Sequence, residues 1–136
     1  MNKLFTTACT ALGIDPDTVN VELSFVGPDE IRELNKTHRG IDKPTDVLAF
    51  PMLEITPKII PTHEAYSLDI NPETNKLELG WVVVCRECAD LPIDFLCVHG
   101  FLHLLGYDHD TRGRKAEMWR LTETILLRQK GESQRE

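Results

Sequence analysis

Hydrophobic positions recur along this chain in two rhythms. The run VNVELSFV, residues 19–26, alternates, placing Val19, Val21, Leu23 and Phe25 on one face, and predicts a half-buried strand. Residues 2–13 follow a helical pattern that ends at Gly13 and Pro16, and predict a short helix. PDEIRELNKTHRG, residues 28–40, has acids in its first turn, Ile31 and Leu34 three apart and Gly40 as a stop, so a second helix is predicted. KPTDVLAFPML, residues 43–53, reads as a strand, and Pro51 assigns it to an edge or a bulge. Residues 54–66 hold two prolines and no period, a loop. YSLDI, NPETNK and LELGWVVVC predict strand, turn and strand. Pro92 and Asp94 open a helix that runs through FLCVHGFLHLL to Gly106. A last helix covers 113–129 on the spacing of Ala116, Trp119, Leu121, Ile125 and Leu126, and the tail KGESQRE is expected to fray.

Helices and antiparallel strands mix without regular alternation, which predicts an α+β fold, a small mixed sheet packed against helices. At 136 residues the chain is expected to be a single domain, 1–136. An apolar fraction of 41% and a charged fraction of 27% fit an ordinary globular protein, and no apolar run is long enough to span a membrane. The opening MNKLFTTACTALG runs into a helical pattern rather than a cleavage signal, so a cytoplasmic protein is expected. Its four cysteines are expected as thiols. The net charge of −7 argues against a general nucleic-acid coat but leaves room for one local basic cleft.

The chemistry gathers in VHGFLHLLGYDHD, residues 98–110, which holds three of the five histidines. On a helix His99 and His103 lie one turn apart, about 40° around the axis. Gly106 is placed where a helix stops with a left-handed residue, and the turn beyond it returns His109. The spacing H-x-x-x-H-x-x-G-x-x-H gives three neutral imidazoles and leaves a fourth position to water, the pattern of a catalytic zinc site. Histidine pairs at this spacing also arise as helix decoration, but this helix is apolar nearly all round, and buried histidines need partners. The spacing equals that of metzincin proteases, whose general base is a glutamate directly after the first histidine; here that position is Gly100. Peptide hydrolysis by that route is therefore disfavoured.

VHGFLHLLGYDH strongly resembles the signature of the YbeY family, metal-dependent endoribonucleases of ribosomal RNA maturation. LNKTHRGIDKPTDVLAFP, residues 34–51, is similar to that family's other signature, and AEMWRLTETIL, residues 116–126, falls in the place of its C-terminal helix. The resemblance implies a zincin-like fold and one zinc ion held by His99, His103 and His109. It further implies a functionally important arginine at Arg39, cleavage of single-stranded RNA in small-subunit ribosomal RNA maturation and ribosome quality control, and association with the small ribosomal subunit. No DNA or membrane partner is expected.

Arg39 also makes sense on its own terms, in a basic stretch with Lys36, His38 and Lys43, because arginine holds a phosphate bidentately. Its alternative role is a solvated cation at a helix C-terminus. Thr45 and Asp46 are candidates for the cleft wall, Asp108 for a hydrogen bond to a ligand imidazole, and Arg112, Arg114 and Lys115 for phosphate contacts or a water-facing surface. The chain departs from the family pattern in a short start, where an initial strand is expected to be missing, in Gly80-Trp81 where relatives usually read Gly-Asp, in a shortened stretch from Cys88 to Cys97, and in basic residues opening the last helix. Trp81 is expected either to stack a base or only to pack.

Three rival readings remain: a metalloprotease-like hydrolase; a non-catalytic module closed around zinc by two cysteines and two histidines of CRECADLPIDFLCVHGFLH; and a redox motif at Cys85 and Cys88.

Overall fold

The computed structural model describes residues 1–56 and 60–135, with side chains through Gly131. Its centre is the strand β4, Lys76–Val84, whose second half is apolar on both faces. Strand β1, Val19–Phe25, pairs with one side of it in parallel, and β2, Val47–Pro51, pairs antiparallel with the other. A two-residue β3, Ile70–Asn71, adds antiparallel to the start of β4. The order β1-β4-β2 leaves β2 as an edge strand, as the proline at its end predicts.

Helices cover both faces. On one side α1, Lys3–Ala11, α3, Ile93–Leu104, and α4, Arg112–Arg135, close over Leu77, Leu79, Val82 and Val84. The rings of Phe5 and Phe101 stack at 5.3 Å between α1 and α3. On the other side α2, Pro28–Arg39, presses Ile31 onto Leu48, Val83 and Cys85. Leu77 and Leu79, and beyond a bulge at Gly80 Val82 and Val84, feed one core, while Trp81 and Val83 feed the other. The α+β class with a small mixed sheet stands.

Helix α3 packs on the sheet through Gly100. A Cβ built there would lie 2.6 Å from Val82 Cγ1 and 3.3 Å from Val47 Cγ2. A larger residue requires Val82 or the helix to shift, so the glutamate of the metzincin pattern is disfavoured at this position.

Three expectations need correction. The strand expected over 43–53 covers only 47–51; Asn35 Nδ2 donates to the Lys43 carbonyl at 2.9 Å, so a side chain rather than a ladder holds the first part. The strand expected over Tyr66–Ile70 is mostly a 3₁₀ turn, Ser67–Asp69, where turn bonds such as Asp69 N–H to the Tyr66 carbonyl at 2.9 Å displace sheet pairing. The tail expected to fray continues α4 to Arg135, since nothing between 113 and 135 is a proline. Of the loop expected over 54–66, residues 57–59 lie outside the described residues.

Replacing Gly100 by alanine should destabilise the fold by about 1–3 kcal/mol through overpacking against Val82. Urea unfolding checks it; an unchanged midpoint would mean that α3 can back away from the sheet without cost.

Candidate metal centre

α3 begins after Pro92 and is apolar on every side, with Phe95, Leu96, Val98, Phe101 and Leu102 buried. His99 and His103 are its half-buried exceptions and point to the same side. The helix stops at Leu104, and Gly106 turns the chain in the left-handed region at φ +89°, where a side chain would be strained. His109 follows on the return, exposed, with its N–H held by Asp108 Oδ1 at 2.7 Å.

The three imidazoles face one another. Ring centroids are 5.1 Å apart for His103 and His109, 5.8 Å for His99 and His103, and 6.3 Å for His99 and His109. Three imidazoles on one tetrahedral zinc, with metal–nitrogen bonds of about 2.0–2.1 Å, would put the centroids roughly 5 Å apart. His103 and His109 already have that spacing; His99 stands about 1 Å too far out. Among the described residues no set of three or more His, Cys, Asp or Glu is closed to coordinating distance. The donors nonetheless fit a metal in kind, because two of them are held neutral. Burial, then the neighbouring His103 and His109, lowers His99 to about 4. Burial and His109 also lower His103, against which Asp108 and a backbone hydrogen bond at Tyr107 pull upward. Neutral imidazole is the form that binds metal. Phe95 fixes the His99 ring from behind at 5.2 Å and is itself backed by Trp119 at 4.7 Å.

These histidines form one wall of a cleft of about 560 Å³. Arg39, from the end of α2, Thr45, Asp46 and the edge strand β2 form the other. Arg39 acts on His103 as a positive charge. Asn35, buried beneath the loop between Arg39 and Thr45, is what ties that wall down.

Several candidates lie elsewhere. Asp108 lines the cleft, but its bond goes to the His109 backbone and not to an imidazole. His38 leans on Phe50 at 4.9 Å, and Phe50 on Trp81 at 5.4 Å. Trp81 donates from Nε1 to Ser24 Oγ at 2.9 Å and packs in the α2 core, on the sheet face away from α3; of its two expected roles the structure assigns the packing one. Arg114 bonds Asp110 at 3.0 Å, and Arg112 and Lys115 are exposed outside the cleft lining. Cys85 and Cys88 turn to each other, in the α2 core rather than toward His99, so the four-ligand module has no geometric support. Sequence reasoning missed the apolar part of the cleft, Leu91, Leu96 and Ala49, which carries no motif and is recognised only once β2 and α3 are side by side.

The family profile described as Endoribonuclease YbeY matches residues 1–130. The chain belongs to the YbeY family. A relative from Nitrobacter winogradskyi, named Endoribonuclease YbeY, is 43% identical over 123 residues, 86% of this chain and 63% of that protein. Another of the same name from Moorella thermoacetica is 38% identical over 137 residues, 93% of this chain and 82% of its own length. A third, from Staphylococcus aureus strain JH9, is 37% identical over 121 residues, 81% of this chain and 72% of the relative. The solution structure of a Thermotoga maritima protein is similar at a TM-score of 0.52 and 27% identity, covering 96% of this chain and 81% of that one. The α+β architecture is consistent with the zincin-like fold of the YbeY family.

The depressed His99 sets a pH dependence. In the unfolded chain this histidine takes up a proton near its ordinary 6.5, in the folded metal-free chain only near about 4. Protons therefore favour the unfolded chain, and stability present above pH 6.5 is lost as the pH falls toward about 4. Urea midpoints of metal-free protein should fall over this window, and less so in His99→Gln; equal slopes in both proteins would refute the assignment.

Proposed function

We propose that the chain is a single-domain, zinc-dependent endoribonuclease that cuts single-stranded RNA in ribosomal RNA maturation, small-subunit 3′-end processing above all, and in ribosome quality control. The observation that carries this reading is the meeting of three imidazoles and one arginine across a single cleft in a member of an endoribonuclease family. Membership makes RNA the substrate class. The finer points — zinc as the metal, one ion per chain, the small ribosomal subunit as partner, a cytoplasmic location — are our reading. Among the described residues no helix is long and apolar enough to cross a membrane.

His99, His103 and His109 would hold the metal, which when bound lowers the pKa of its water toward about 7 and supplies hydroxide at neutral pH. Arg39 faces them and binds the scissile phosphate, steadying the charge that develops on its oxygens. Burial of His99 and His103 keeps both imidazoles unprotonated and available as ligands. Leu91, Leu96 and Ala49 exclude water around the phosphate. The cleft, about 560 Å³, has the volume of a pocket for one small ligand, which suits a single nucleotide unit of an unpaired strand. The position after the first histidine, Gly100, offers no base for a peptide substrate.

Wild type and His103→Ala, loaded with zinc and incubated with single- and double-stranded RNA, test the reading. Wild type should carry about one zinc and cut only single strands, and the variant should lose both. Zinc binding with every RNA left intact would remove the nuclease reading and keep the site. Arg39→Ala should retain zinc and lose about 10²-fold or more in cleavage rate; an unchanged rate would remove the arginine from the mechanism.

A further inference from the structure

Cys85 and Cys88 take no part in the cleft, yet their side chains are in direct contact. Cys85 follows β4 and is fully buried, Cys88 is partly exposed, and both are free thiols. The 3₁₀ turn Arg86–Cys88 is closed by the Cys88 N–H donating to the Cys85 carbonyl at 3.2 Å. Residues three apart on such a turn stand on the same side. Their sulfurs accordingly lie 3.2 Å apart. A disulfide needs an approach to about 2 Å, within reach of side-chain rotation because the turn already faces the two Cβ atoms together.

We propose that Cys85 and Cys88 are a reversible dithiol–disulfide site that reacts with low-molecular-weight disulfides. Exposure sets the order of events. The Cys88 thiol gives its proton to solvent, and its sulfur attacks one sulfur of the reagent. A Cys88–sulfur bond forms, the reagent's S–S bond breaks, and one thiolate leaves and takes up a proton. Cys85, already in contact, displaces the second thiolate from the Cys88 sulfur and its proton passes to that departing thiolate, so the Cys85–Cys88 bond forms as the mixed disulfide breaks. The chain is oxidised by two hydrogen atoms and the reagent is reduced to two thiols.

The surroundings make the reaction slow but selective. The hydrogen bond with Cys85, then burial, the Cys85 thiol itself and the carboxylates of Glu87 and Asp46 push the Cys88 thiol up to about 11, so its thiolate is scarce at neutral pH. Cys9 and Cys97 are buried in the main core, pushed up chiefly by burial to about 12 and about 11. They present no surface to a reagent. The pair also borders the cleft wall, since the Cys85 N–H donates to the carbonyl of Asp46 at 2.9 Å.

The test is a thiol count on the reduced full chain after exposure to oxidised glutathione at mildly alkaline pH, acid quenching and unfolding. The four thiols should fall to two with no glutathione retained, and dithiothreitol should restore four. Cys97→Ser should lose two of its three thiols in the same way, while Cys88→Ser should form no internal bond. Four thiols remaining in the wild type, or a Cys88→Ser chain that still loses two, would overturn the proposal. The readout needs neither metal nor RNA, so it stands apart from the nuclease assay.

Discussion

Helix α3 lies against the sheet at a distance that only a residue without a side chain permits. Gly100 faces Val82 and Val47, and everything the cleft needs follows from that contact. With the helix seated there, Val98, Phe101 and Leu102 fill the main core, and His99 and His103 are left as the helix's two polar positions along the edge strand β2. The same contact decides which chemistry is disfavoured. Any side chain after His99 would begin with a Cβ 2.6 Å from Val82 Cγ1, so the general base of a metal-dependent protease could stand there only if the helix or Val82 moved. Packing and specificity are here one constraint.

The second requirement is that the imidazoles stay neutral. Burial does this for His99 and His103, as charge in a poorly solvated wall is costly and the neighbouring rings add repulsion. His109 is exposed and reaches the site only because the chain reverses at Gly106 and Asp108 pins the backbone that follows. In the proposed metal site two ligands would come from a helix and one from a loop. His99, the most distant of the three, would have to move about 1 Å for a tetrahedral arrangement, while the other two already have the spacing.

Much of this was legible in the residues. The alternation of 19–26 and the apolar run of 93–104 name their own elements, and the histidine spacing with Gly106 names the site. Arg39 was visible as a basic residue just before a helix stop, though its placement across the cleft depends on the loop that Asn35 holds, a tertiary contact with no local signal. The parallel pairing of β1 with β4 was hidden as well, since strand direction is set by the long connection through α2 and β2 and not by either strand's pattern. Residues 66–70 alternate like a strand but have a competing set of turn bonds around Thr62 and Tyr66. Trp81 precedes Val82, which packs against α3, yet strand alternation turns it to the opposite face, where it bonds Ser24.

The central claim is that three imidazoles of one cleft hold a metal with a position left open. X-ray absorption at the zinc edge of the loaded protein tests it most directly. The account predicts about three nitrogen scatterers at about 2.0–2.1 Å, a light fourth atom and no sulfur. A sulfur shell at about 2.3 Å would contradict it, placing the ion on Cys85 and Cys88 and making the chain a closed zinc module rather than a hydrolase.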